Sequence, residues 1–417
     1  MTSRRTDPMP CTRSVQRRLL ILAVCALALP SFGGVSPERL ARLDAFLDAY
    51  VEEGRIPGAV LQVTHDDRTV YHRAAGFRDL AAGSPMQTDT IFRIASMSKA
   101  VVSAAVLMLQ ERGALLITQP LGEVLPEYAA TRVAVAADDG GYGIVDATRP
   151  IAIRDLLTHT AGIGYGSGPA AAEWQAAGLQ YWYFGHRDEP IRETVRRIGA
   201  MPMDAQPGER WVYGYNTDIL GALVEVASGT TLDEFLATEM FAPLGMTDTS
   251  FYLPPAKRDR LAVVYSRTPT GELVLPEENT PFHGQGHYVT GPRKSFSGGA
   301  GLLSTTADYT RFLEAIRRGG GPILSRKSVE LMTTDNLGDI EVAPGLGFGL
   351  GFGVVSEPGV RGELGSPGEF NWGGAYHTSY WVDPAEKLTV VYMTQILPAW
   401  GLDDFGKVRA LVYQAID

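Results

Sequence analysis

The sequence predicts an α+β fold: an antiparallel sheet flanked by helices, with a second, mainly helical lobe. Three observations lead there. Strand-like runs gather toward both ends of the 417 residues, and helical, Gly- and Pro-rich sequence fills the middle. No internal repeat or low-complexity tract interrupts this pattern. The predicted layout is therefore a leader over 1–33, a discontinuous α/β lobe from 34–120 and 286–417, and a helical lobe over 121–285. Ligand sites commonly form in the cleft between such lobes.

Taken in order, Ser36 is a natural N-cap and Pro37 suits the first helical turn. Leu40, Leu43, Leu47 and Tyr50 then form one apolar face that ends at Gly54. Two strand-like runs follow, Ala59 to Thr64 and Thr69 to Arg73, joined by the polar turn His65-Asp66-Asp67-Arg68. A helix is predicted from near Ser96, with Val101, Val102, Ala105 and Leu109 on one face. Toward the C-terminus, Thr305 caps a helix running to about Arg318. Leu350 to Val355, Thr378 to Asp383 and Leu388 to Thr394 read as strands. A last helix places Phe405, Val408 and Val412 together.

Composition narrows the function. A net charge of −10 argues against nucleic acid or an anionic membrane as partner, since both need clustered Lys and Arg. A small molecule is the expected partner. Both cysteines, Cys11 and Cys25, precede the folded body, so thiolate zinc sites and catalytic cysteines are not expected there. His283 and His287 have metal-like spacing, but the glycines between them read as loop, and neither a metal nor another cofactor is expected. Arg17 and Arg18 precede the short apolar run Leu19 to Leu29, the pattern of a secretory signal peptide rather than a membrane span. Export to the periplasm or medium is expected; a cytoplasmic or lipid-anchored location is the alternative.

The chemistry concentrates at Ser96-Met97-Ser98-Lys99. Residues three apart on a helix share a face, so the Lys99 amine can lie beside the Ser96 hydroxyl. A serine hydroxyl needs such a neighbouring base before it becomes a useful nucleophile. This is the single Ser-x-x-Lys in the chain. Pro207 to Gly214 reads as a turn delivering Tyr213 to the head of a helix. Trp372-Gly373-Gly374-Ala375 precedes a strand, where glycines let backbone approach a ligand and an amide can face an oxyanion.

Ser-x-x-Lys, a tyrosine motif and a late glycine-rich strand, in that order, resemble class C β-lactamases and penicillin-binding proteins. The chain resembles the family VIII carboxylesterases more closely still. Ile94 to Lys99, Asp155 to Gly162, Pro207 to Tyr213, Ser297 to Leu302 and Trp372 to Gly374 carry that likeness. The resemblance implies a β-lactamase/transpeptidase-like fold with Ser96 as the acylated nucleophile. It also implies Lys99 and Tyr213 as the proton-transfer pair, and the Ser96 and Ala375 amides as the oxyanion hole. Which of Lys99 and Tyr213 is the base stays open.

Two departures bear on the substrate. The β-lactamase motif Tyr-x-Asn is altered: Tyr215 stands where the asparagine belongs, and Asn216 comes one position late. The Lys or His that opens the β-lactamase strand motif is replaced by Trp372. Trp372, Gly373, Gly374, Tyr215 and Asn216 are therefore expected to line a pocket for neutral esters. The alternatives are a β-lactamase or D-amino-acid peptidase using the same site, or an acyltransferase. An α/β-hydrolase is disfavoured, because no Gly-x-Ser-x-Gly elbow occurs. His159 is expected to be a structural histidine, Asp155 a helix cap and Ser297-Gly298-Gly299 a tight turn. Tyr181 to Phe184 fit either an acyl-pocket wall or local core.

Overall fold

The computed structural model describes residues 1–2, 34–138, 140–276 and 286–416. The leader with Cys11 and Cys25, and His283, lie outside them.

The architecture is an eight-stranded antiparallel sheet with helices packed on both faces. Helix α1 (Pro37–Glu52) starts where Ser36 accepts a hydrogen bond from the Arg39 amide, and it buries Leu40, Leu43, Leu47 and Tyr50. Strands β1 (Gly58–His65) and β2 (Arg68–Asp79) form a hairpin whose turn residues, Asp66 and Asp67, have φ of 46° and 66°. Asp tolerates this left-handed geometry better than most residues. Strand β3 (Ser84–Pro85) follows. The chain returns to the sheet as β4 (Leu346–Phe348), β5 (Gly353–Val355), β6 (Phe370–Gly374), β7 (Thr378–Asp383) and β8 (Leu388–Met393). The eight strands lie in the order β4-β5-β6-β7-β8-β1-β2-β3, so β8 of the C-terminal segment pairs antiparallel with β1 near the N-terminus.

Both faces of this sheet are covered, which is why β1 is buried along nearly its whole length. Ala59, Leu61 and Val63 point toward α1 and α5 (Asp404–Tyr413), while Val60 points to the opposite core. On that second face lie α2 (Ser98–Glu111), α3 (Asn216–Ser228) and α4 (Thr306–Arg317). Thr305 caps α4 through the Asp308 amide, 3.1 Å away, a bond of the kind worth about 1 kcal/mol. Among the described residues no helix is long and apolar enough to cross a membrane.

The sequence expectations need correction in four places. Helix α2 is not one-faced: every residue from Ser98 to Leu109 is buried, making it the central helix of the molecule. The middle of the chain, expected to be mainly helical, also holds a strand ribbon, Arg132–Ala136 paired with Tyr142–Asp146. The run expected as a strand from Leu350 narrows to Gly353–Val355. On α5, Val408 and Val412 are buried, whereas Phe405 is 36% exposed.

One carboxyl in the α3 region makes stability pH-dependent. Glu225 accepts a hydrogen bond from the Leu232 amide at 3.1 Å, yet burial pushes its pKa up to about 7. A carboxyl whose folded pKa is raised stabilises the fold below its unfolded value and loses that contribution as pH rises through 7. Glu225→Gln should therefore raise Tm relative to wild type at pH 8 and leave it nearly unchanged at pH 4.5, by thermal denaturation at both pH values. A Tm difference that does not grow with pH would contradict this.

Candidate active site

Ser96 does not sit within α2 itself but in the 3-10 turn Ala95–Met97 that leads into it. Ala95 has φ of +41°, an unfavourable value for a residue with a Cβ. The turn is held in that shape from several sides. The Ile94 amide bonds to the Leu302 carbonyl, the Tyr309 hydroxyl donates to Met97 O, and Ser98 Oγ accepts from the Leu302 amide. Ser98, which has no lysine partner, thus anchors the neighbouring loop. Ser96 remains partly exposed above it.

Lys99 is 1% exposed. Its Nζ lies 3.1 Å from Ser96 Oγ, 3.2 Å from the Tyr165 hydroxyl and 2.8 Å from the Gly299 carbonyl. The i, i+3 spacing therefore delivers the amine to the hydroxyl as the sequence reading expects. Tyr213 arrives from the segment before α3, and Lys99 Nζ lies 4.7 Å from the centroid of its ring. The Tyr213 hydroxyl accepts a 3.1 Å hydrogen bond from Trp372 Nε1. Where the β-lactamase motif that the sequence resembles has a cation, this chain has an indole that binds the tyrosine.

Trp372 and Gly373 belong to β6, the strand whose local signal two glycines weaken. A Cβ added at Gly374 would meet the Ile94 carbonyl at 2.3 Å, so only glycine lets β6 approach the backbone leading to Ser96 this closely. The β6–β7 ladder ends at the pair Gly374 and Thr378, leaving the exposed Ala375 just outside it and beside Ser96 in the same cavity.

Two cavities meet at Ser96, Tyr213 and Ala375. One, of about 510 Å³, extends past Asn371, Trp372 and Gly373 toward Phe405. The other, of about 300 Å³, is walled by Tyr165, Gln180 and Trp182. The Tyr181 to Phe184 segment thus divides: Trp182 faces the smaller cavity, while Tyr183 and Phe184 are core. The cations of the larger cavity are engaged: Arg361 pairs with Glu363 at 2.7 Å, and Arg409 holds Glu369 at 2.7 Å through Nη1.

Tyr215 and Asn216 do not line either cavity, correcting the sequence expectation. Both are fully buried. The Tyr215 hydroxyl donates to the Leu179 carbonyl, and its ring packs against Trp174 and Phe184. Asn216 donates to His159 Nδ1 at 2.8 Å and to two carbonyls, because the first turn of α3 points that side chain inward. Gly374 also serves close packing rather than the cavity wall.

His159 is structural, as expected. Burial, and then the nearby Lys99, push its pKa well below the ordinary histidine value. Its ring lies 4.7 Å from that of Tyr213, so the His159–Asn216 pair backs the tyrosine. Asp155 caps its helix through the Ala152 amide and is clasped by Arg149.

Two residues absent from the sequence reading complete the surroundings of Lys99. Tyr165 touches Nζ directly. Asp218, fully buried on α3, accepts from the Ser297 hydroxyl at 2.7 Å and the Gly299 amide at 3.2 Å. Ser297-Gly298-Gly299 is thus a turn, as predicted, but one that Asp218 fastens while its last carbonyl grips Lys99. Burial raises the Asp218 pKa, opposed by Ser297, Lys99 and the Gly299 amide in that order. The spacing of Asp218 from Tyr213 gives a possible signal only in retrospect; Tyr165, in a glycine-rich loop, gives none.

Comparison with known proteins gives the family and the fold. The β-lactamase family model matches residues 43–412. The chain belongs to the β-lactamase family. It is 35% identical to the esterase EstB of Burkholderia gladioli, over 85% of this chain and 90% of that one. It is 30% identical to the lovastatin esterase of Penicillium rubens, over 86% and 94% of the two chains. Among solved structures, it resembles EstCE1, a hydrolase with promiscuous acyltransferase activity. The TM-score is 0.78 and the identity 27%, covering 90% of this chain and 99% of that one.

Gly374→Ala tests the close approach of β6. The methyl group meets a backbone oxygen that cannot step aside, so the strand must retreat from Ser96. Displacement on the 1 Å scale costs roughly a hundredfold in rate. Ester turnover should fall on that scale while circular dichroism shows the fold retained; unchanged kcat would contradict the packing argument.

Proposed function

We propose that this protein is a serine esterase that cleaves neutral carboxylic esters through an acyl-enzyme on Ser96. The observation that carries the proposal is the 3.1 Å contact of Lys99 Nζ with Ser96 Oγ at the junction of two cavities. Two esterases and a hydrolase among the similar proteins support it.

In this mechanism Ser96 Oγ attacks the ester carbonyl carbon as its proton passes to Lys99, the base already at hydrogen-bond distance. The carbonyl oxygen becomes an oxyanion facing the Ser96 and Ala375 amides, each contributing roughly 3 kcal/mol to the transition state. Tyr213 relays the proton to the departing alcohol, and the indole N–H of Trp372 stabilises negative charge on the phenol oxygen. Water then attacks the acyl-enzyme and regenerates Ser96. Lys99 and Tyr213, whose ring centroid lies 4.7 Å from the amine, act as one coupled proton-transfer unit.

Trp372 separates esters from anionic β-lactams. It supplies no positive charge, and Arg361 and Arg409 are already paired with glutamates. A substrate carboxylate entering this cavity would lose water without gaining an unpaired cation, an unfavourable exchange. The roomy cavity beside Ser96 favours one secondary activity: an alcohol lodged there can replace water as acyl acceptor, as the acyltransferase activity of EstCE1 suggests by analogy.

The test compares p-nitrophenyl butyrate with a chromogenic cephalosporin. The ester should show kcat/KM larger by at least roughly two orders of magnitude, and Ser96→Ala should lose about a thousandfold or more. Preference for the cephalosporin, or an active Ser96→Ala, would overturn the proposal.

A further inference from the structure

The turn bearing Ala375 is fastened by a side-chain pair that takes no part in the chemistry above. The His377 amide donates to the Gly374 carbonyl at 3.0 Å, closing the turn between β6 and β7. His377 itself has φ of +61°, a conformation that a residue with a Cβ keeps only where its surroundings enforce it. Those surroundings are specific. His377 Nε2 lies 2.8 Å from Asp404 Oδ1, with the imidazole 12% and the carboxylate 1% exposed. The imidazole stacks on Phe405, with centroids 4.1 Å apart and planes at 11°. Thr394 Oγ1 donates to the His377 carbonyl at 2.8 Å, and the Tyr392 hydroxyl donates to Asp404 Oδ2 at 2.8 Å. On the other side of Ala375, Tyr376 is buried against Trp182 of the smaller cavity.

Asp404 opens α5, and the next two residues, Phe405 and Gly406, line the larger cavity. The histidine and aspartate line neither cavity, so they act through the turn and not on substrate. We propose that His377 and Asp404 are positioning residues: their bond fixes the Ala375 amide at the oxyanion and couples it to the cavity wall on α5. This rests on the acyl-enzyme reading of Ser96. A loosened turn leaves substrate binding largely intact but misplaces a donor whose interaction is strongest in the transition state.

The experiment measures kcat, KM and inhibition by phenylboronic acid, which adds to a serine hydroxyl and places an oxygen where the oxyanion forms. His377→Ala should lower kcat roughly tenfold to a hundredfold, keep KM within about threefold and weaken boronate inhibition in parallel with kcat. His377→Gln, whose amide N–H can still reach Asp404, should recover most of the loss. Asp404→Leu, similar in size but with no acceptor for the imidazole, is measured alongside in case the alanine variant does not fold, and should show the same paired losses. Wild-type kcat in either folded variant, or a kcat loss without weaker boronate binding, overturns the proposal. Ser96→Ala in the same assays separates the two claims. Turnover near wild type there sinks the acyl-enzyme reading, whereas a loss of about a thousandfold there with wild-type kcat in the His377 and Asp404 variants sinks only the positioning role.

Discussion

The site depends on one buried amine. Lys99 lies on a helix with no solvent-facing residue along its first three turns, and an amine buried without partners costs about 1–3 kcal/mol or more. Its partners come from three separate stretches of chain: Ser96 on the preceding turn, Tyr165 from the loop before Ala171, and Gly299 from the turn before α4. Satisfying Lys99 therefore draws these stretches to one point. Asp218 extends the same logic one step outward, holding the Gly299 peptide from α3.

A second constraint acts on the opposite side of Ser96. Strand β6 must lie almost against the Ile94 carbonyl, and the chain meets that demand with Gly374 at the contact and the strained Ala95 next to the serine. The strain at Ala95 thus sits beside the proposed nucleophile, and functional sites are a usual place for such strain. Between the two constraints the serine has little freedom, and the cavities beside it are walled by aromatic side chains such as Trp182, Tyr213 and Trp372 together with polar ones. Trp372 in place of the cation of the β-lactamase motif changes two things together: the charge offered to substrate, and the partner of the Tyr213 hydroxyl.

Much of this was legible in the residues. The capped helix at Ser36, the first hairpin, the Thr305 cap and the Ser96–Lys99 spacing are local signals, and local physics sufficed to read them. What failed was long-range. Two glycines weaken the local strand signal at β6, which the family resemblance alone carries; ladder pairing with β7 holds it in place. Tyr215 and Asn216 were placed by distance from Tyr213 along the chain, but the turn entering α3 swings both inward. Tyr165 and Asp218 meet Lys99 and its turn through contacts spanning 66 and 81 residues, respectively. No periodicity encodes such separations.

The central claim is that Ser96, activated by the amine beside it, carries the acyl group. Mass spectrometry after incubation with a serine-directed p-nitrophenyl phosphonate tests it most directly. One adduct per chain is expected, mapped to Ser96 and formed far more slowly in Lys99→Ala. An adduct on any other serine, or labelling of Ser96 at an unchanged rate without Lys99, would contradict it.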